Sequence, residues 1–253
     1  MLVGAQMYTV RDFIKDMPGV TESLKKIKDI GYSNVQISGM GPVDHNEVAK
    51  VANDLGLTIS CTHMAWSMFQ NELDKVIEIH KAWNCRNSAI GGLPQEYYNL
   101  DGVKRFAEEL VPISEKLAAA GLTFSYHNHN HELALYDGKT WLARLYEMTN
   151  PKHLKAEIDT YWIVAGGGDP IYWINKIAGR APLVHLKDMM VLPSREVRMA
   201  PIGDGNLNWE GIIKASQAAG CEYALVEQDR CYEMDPFEAL ARSYNNLKAM
   251  GLK

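Results

Sequence analysis

Glu132, Asp159, His185 and Glu227 stand at or just beyond the ends of short apolar runs, in the segments HNHNHE, EIDTYW, LVHLKD and YALVE. Strand interiors are usually apolar, so acids and an imidazole recurring at successive strand ends point to a shared polar site. Converging carboxylates repel one another and are costly to desolvate unless something positive sits among them. A divalent cation meets that need. Three carboxylates and one imidazole make a mainly hard-oxygen set suited first to Mn²⁺, with Mg²⁺, Co²⁺, Zn²⁺ or Fe²⁺ also feasible. Glu132 shares its run with His127, His129 and His131, which leaves alternative donors within a few residues.

Further residues fall around these four. His185 and Lys187 are two apart and project to one face of a strand, so Lys187 is expected near a substrate and Asp188 toward the wall. His127 and His129 share a face by the same alternation. Lys187 and His129 are the candidates for a general acid or for stabilising an oxyanion. Gln6, Tyr8, His63 and Trp162 are expected to line the mouth, where they can stack on or hydrogen-bond a ligand. Asp169-Pro170 reads as a helix N-cap followed by proline at the first helical position. Gly203-Asp204-Gly205 reads as a tight turn, and neither it nor the triple glycine at 166–168 has Walker spacing.

One pattern positions these residues. Segments 22–38, 47–63, 108–127 and 210–227 each read as an amphipathic helix, a glycine and a short apolar strand. Gly31, Gly56, Gly121 and Gly220 sit where the helix must stop, a place that favours a residue able to adopt positive φ. Further strands are expected at 3–8, 86–92, 154–159 and 182–188, giving eight strands and eight helices. Strict alternation implies parallel strands with crossover helices. Eight such units in 253 residues predict a closed (β/α)8 TIM barrel, a single α/β domain spanning 1–253. An open doubly wound sheet is disfavoured because the first turn, QMYTVRDF, has no glycine fingerprint. In a barrel the C-terminal strand ends surround one mouth, where distant residues meet.

Composition narrows the classes further. The net charge is −5 and no basic run exceeds Lys25-Lys26, which argues against a nucleic-acid partner. No apolar stretch would span a bilayer, and Gln6, Arg11 and Asp12 interrupt the region a signal peptide would need apolar. The expected location is the cytoplasm, with no membrane partner. Cys61, Cys85, Cys221 and Cys231 lack CxxC spacing and read as ordinary thiols.

The segments GAQMYTVRD, YHNHNHE, EIDTYW, AGGGDP, HLKD, GDGNLNW and VEQD, in this order, resemble the xylose-isomerase-like TIM-barrel family of sugar phosphate isomerases and epimerases. The resemblance runs over essentially the whole chain. It implies a metal site carried by Glu132, Asp159, His185 and Glu227. Against the His-Asn-His-x-x-Glu-Phe pattern of its subgroup, this chain has Leu133 for the aromatic and an additional His131. The expected reaction is isomerisation or epimerisation of a sugar or keto sugar through a metal-stabilised enediolate, with Glu132 and Glu227 as the two bases. The alternative is a lyase dehydrating an inosose-like or keto-sugar substrate at the same site. A sugar-binding protein and an abasic-site endonuclease are the remaining readings. Proteins of this kind often associate, so a homo-oligomer belongs to the expectation.

Overall fold

The computed structural model describes residues 1–252. Eight parallel strands close into a barrel: β1 Leu2–Gln6, β2 Asn34–Ile37, β3 Thr58–His63, β4 Asn87–Ile90, β5 Thr123–His127, β6 Lys155–Asp159, β7 Leu183–Leu186 and β8 Tyr223–Val226. Strands pair in sequence order, and β1 pairs with β8 to close the ring. The helix Met17–Ile30 shows how each crossover ends: Gly31, at φ 121°, sends its N–H back to the carbonyls of Ile27 and Lys28. Among the described residues no helix is long and apolar enough to cross a membrane.

The period of two divides each strand between two environments. Val35, Ile37, Phe124, Tyr126, Ala156, Ile158, Val184 and Leu186 belong to the large apolar core beneath the helices. Cys61, Ala89, Leu183 and Leu225 form a separate small cluster. Their alternate neighbours are polar and equally buried: Gln36, Ser125, His127, Glu157 and His185. The barrel interior is therefore apolar at one level and polar toward its C-terminal mouth. Gly4 marks how tightly that interior is filled, since a Cβ there would lie 2.0 Å from Asn34 Oδ1 and 2.8 Å from Leu225 Cδ2.

The architecture departs from the expected alternation of eight strands and eight helices in several places, among them two helices after β3 (Trp66–Asn71 and Leu73–Ala82) and two after β6 (Thr160–Ala165 and Pro170–Lys176). β1 ends at Gln6 rather than at Tyr8, because the Gln6 side chain accepts the Tyr8 N–H at 3.0 Å and caps a 3₁₀ turn, Met7–Phe13. Beyond β7 the chain makes an antiparallel hairpin, Asp188–Val191 with Val197–Ala200, before its helix Trp209–Ala218. Beyond β5 it makes a 3₁₀ turn, His131–Leu133, and a second small hairpin. Glu132 lies on that turn, five residues past the end of its strand.

His80, on the helix Leu73–Ala82, is buried with Nδ1 2.7 Å from the Val76 carbonyl oxygen and Nε2 2.9 Å from the Thr62 hydroxyl. Burial holds its pKa below the ordinary 6.5. The unfolded chain then binds a proton that the folded chain refuses, so stability falls as the pH drops below the unfolded value of about 6.5. Melting curves from about pH 7.5 to pH 5 should show a shallower acid loss in His80→Gln than in the parent. Equal slopes would count against this assignment.

Candidate functional site

Asp159, at the end of β6, uses its two oxygens differently. Oδ1 accepts the Trp162 N–H at 2.9 Å and caps the helix Thr160–Ala165. Oδ2 is buried without a hydrogen-bond partner, yet it lies 3.0 Å from Lys187 Nζ, 3.7 Å from His127 Nε2 and 3.9 Å from His185 Nδ1. Glu227, just past β8, places Oε2 2.9 Å from His185 Nδ1 and 2.9 Å from Lys187 Nζ. His127, Asp159, His185 and Glu227 thereby offer donor atoms within 4.8 Å of one another. They sit at the floor of a cavity of about 890 Å³ at the barrel mouth, into which His127, Lys187 and Glu227 open.

Below this group lies a second layer. Glu157, two residues before Asp159 and hence on the same face, accepts from Gln36 Nε2 at 2.9 Å and lies 2.6 Å from His63 Nε2 and 2.9 Å from His185 Nε2. Gln36 Oε1 is 2.6 Å from the same His185 nitrogen. Glu157 is fully buried, which would raise its pKa, but His185 and His63 outweigh burial and hold it ionised. His63, His127, Glu157 and His185 also meet within ligand reach, but here each carboxylate oxygen is already paired with an imidazole at 2.6 or 2.9 Å. The upper group, whose Asp159 Oδ2 is held by ion pairing with Lys187 and accepts no hydrogen bond, is the better cation site. Glu157 and Gln36 orient His185 from behind, as carboxylates commonly do for a ligating imidazole.

Charge in the upper layer is balanced by Lys187 and His185. Burial opposes the Lys187 ammonium, but Asp159, Glu227 and Asp229 raise its pKa and keep it charged. His185 is likewise disfavoured by burial and pushed up to about 10 by Glu157 and Glu227. Burial works against Glu227 too, and Lys187 and His185 reverse it, so this carboxylate stays ionised. Asp229, 2.9 Å from Lys187 Nζ, is pushed up to about 7 by burial and by Glu227.

The residues expected from sequence divide accordingly. Asp159, His185, Glu227 and Lys187 are brought together. Glu132 is not among them: Oε1 accepts from the Tyr126 hydroxyl and Oε2 from the His129 N–H, each at 2.8 Å. His127, as the last residue of β5, points inward in the place expected for Glu132. Glu132 is pushed up to about 7 by burial. Tyr8, His63, His129 and Trp162 line the cavity. Gln6 is fully buried, with Oε1 accepting the Tyr8 N–H and Nε2 without a hydrogen-bond partner. Glu157, Gln36 and Asp229 join the site although sequence reasoning gave them no role; the signal for Glu157 was its spacing of two from Asp159.

The hairpin after β7 supplies Val197 and Met199 to the cavity wall. Asp188 anchors it, as its fully buried carboxylate accepts the N–H groups of Gly203, Gly205 and Leu207 and the indole N–H of Trp209. Gly203-Asp204-Gly205 is thus part of a loop wrapped around Asp188; a Cβ on Gly205 would lie 2.4 Å from that carboxylate. Asp188→Ala would leave five N–H donors without their acceptor, the buried Trp209 indole among them, and is expected to cost about 3 kcal/mol. Thermal unfolding measures the cost, and a melting temperature within a degree or so of the parent would contradict the anchoring role.

A family model described as xylose isomerase-like TIM barrel matches residues 19–249. Inosose dehydratase of Geobacillus thermodenitrificans (strain NG80-2) is 28% identical over 156 residues, 55% of this chain and 49% of that protein. The chain spans about half the length of the curated relatives it matches. Among solved structures, a sugar phosphate isomerase/epimerase from Parabacteroides distasonis superposes with TM-score 0.84 at 22% identity, covering 98% of this chain and 94% of that one. An L-ribulose 3-epimerase superposes with TM-score 0.76 at 19% identity over 100% and 95% of the two chains. The IOLI protein, solved with a zinc atom, superposes with TM-score 0.74 at 14% identity over 98% and 97%. These likenesses carry the fold, and the family model carries membership: the chain belongs to the xylose isomerase-like TIM-barrel family.

Proposed function

We propose that the protein is a divalent-metal-dependent isomerase or epimerase of a sugar or keto sugar. One observation carries this reading: an ionised carboxylate, Glu227, opens into the mouth cavity between an ammonium and an imidazole, and the same ammonium pairs with Oδ2 of Asp159 beside it. His127, Asp159, His185 and Glu227 would hold the cation. Two imidazoles and two carboxylates form a more nitrogen-rich set than the three-carboxylate set expected from sequence, and they favour Zn²⁺, Fe²⁺, Co²⁺ or Mn²⁺ over Mg²⁺. When bound, such a cation supplies polarisation of a substrate carbonyl and its neighbouring hydroxyl.

The chain's own groups do the rest. Glu227 takes the proton from the carbon next to the carbonyl, and the Lys187 ammonium hydrogen-bonds the oxygen on which charge develops. Asp229 holds Lys187 at the cavity face. Because Glu132 is turned away, Glu227 alone can move a proton between adjacent carbons on one face of the substrate, which is isomerisation. Epimerisation needs a second group that delivers a proton to the other face; His129 lines the same cavity, but burial and Lys187 keep its imidazole neutral, which favours the one-base reaction.

Dehydration is the second reading. It draws support from Lys187 and Asp229 as a buried donor pair and from the curated relatives named inosose dehydratase. Both reactions begin with the same proton abstraction. NMR of keto sugars and inososes incubated in deuterium oxide with the metal-loaded protein separates them. Deuterium entering the product without loss of water supports isomerisation or epimerisation, whereas loss of water supports dehydration. Absence of exchange across the set would sink both.

A further inference from the structure

The turn after β5 carries a second donor group, separate from the four residues at the cavity floor. His129, His131 and Glu132 bring one donor atom each within 4.8 Å of one another. Glu132 is fully buried, and among the described residues its only ion-pair partner is His131, a neighbour whose own pKa burial lowers. A buried carboxylate left with so little positive charge is expensive. His129 Nδ1 is also buried and has no hydrogen-bond partner.

The spacing of the donors admits a cation. His131 Nε2 stands 3.3 Å from Glu132 Oε1. Two donors each about 2.0–2.2 Å from a tetrahedral cation are themselves about 3.3–3.5 Å apart. The His129 and His131 rings are nearly parallel, at 12°, with centroids 5.6 Å apart. The bonds from Tyr126 and from the His129 amide take one acceptor position on each Glu132 oxygen and leave others free. Such bonds orient a ligating carboxylate. The turn itself is braced: Tyr98 packs edge-on against His131 at 4.3 Å, and a Cβ on Gly166 would lie 2.8 Å from Leu133 and 3.0 Å from the Asn130 carbonyl oxygen. His131, 46% exposed, leaves a path from solvent.

We propose that His129, His131 and Glu132 form a second divalent-cation site, suited to Zn²⁺ or Co²⁺, with a fourth position open to solvent. Occupancy would take His129 out of proton transfer and leave Lys187 with Asp229 as the donor at the cavity. The site does not depend on the reading of the floor cluster.

Equilibrium dialysis against Co²⁺ at micromolar concentration, with elemental analysis of the retained metal, tests it. The parent is expected to retain two cations per chain, His131→Ala one, Asp159→Asn one, and the double variant none. His131→Gln, which keeps a polar side chain of similar size, should lose the same cation as His131→Ala, with circular dichroism matching the parent. Retention of one cation in Asp159→Asn that disappears with His131→Ala upholds this site even if the floor cluster proves empty. Stoichiometry unchanged by either His131 substitution, or a second cation taken up only at millimolar Co²⁺, overturns it.

Discussion

Glu227→Gln is expected to lower turnover by about 10²–10⁴-fold while changing substrate capture by much less. Glutamine keeps the shape of the side chain and an oxygen for Lys187 and His185, whose nitrogens both lie 2.9 Å from Glu227 Oε2. It cannot take a proton from carbon at neutral pH. The loss corresponds to about 3–5 kcal/mol of transition-state stabilisation. Turnover and KM are read on the substrate identified by the deuterium-exchange screen, with thermal unfolding to show that the barrel is intact. A folded variant that retains turnover within about threefold of the parent would remove Glu227 from the chemistry. A fall confined to KM would reassign it to binding alone.

Lys187→Met should destabilise the metal-free protein strongly and make it dependent on added cation. Lys187 is 1% exposed, and its ammonium lies 3.0 Å from Asp159 and 2.9 Å from both Glu227 and Asp229. Methionine has similar length but leaves three carboxylates facing one another, with His185 as the remaining positive neighbour. Removing one partner from a buried charge cluster costs about 3–5 kcal/mol. In a chain of this size that is a fall of roughly 10 °C in melting temperature. Zn²⁺ or Mn²⁺ should recover more of the loss in the variant than it adds to the parent, because the cation replaces the missing charge. Differential scanning calorimetry with chelator and with metal gives both numbers. Equal melting temperatures for variant and parent in chelator would show that Lys187 does not hold these carboxylates together.

The contrast between Glu132 and Glu157 shows where sequence reading stops. Both are acids beside an expected strand end, and the run HNHNHE made Glu132 the more conspicuous. Whether the chain leaves β5 after His127 or several residues later is decided by packing that the run itself does not contain. Asn128 Oδ1 accepts the Asp159 N–H at 3.1 Å, and Gly166 admits the Asn130–Leu133 turn at close range. Those contacts turn Glu132 away from the cavity and leave His127 facing Asp159. Glu157 was legible in principle, since a spacing of two from Asp159 puts both on the inner face. Gln6 Oε1 closes a turn that ends its strand early, which the run itself does not announce.

Alternating helical and strand periodicities, punctuated by glycines able to take positive φ, were enough to determine the eightfold barrel, because each unit's pattern is a local property of a few turns of chain. The same patterns put Asp159, His185 and Glu227 at strand ends. Only the tertiary structure decided that His127 joins them, that Lys187 sits among the acids and that Glu157 and Gln36 hold His185 from below. Those meetings depend on register between strands far apart in the chain, such as Asp159 opposite His185 and Leu225 opposite His185, and no short segment encodes which donors a closed ring will bring face to face.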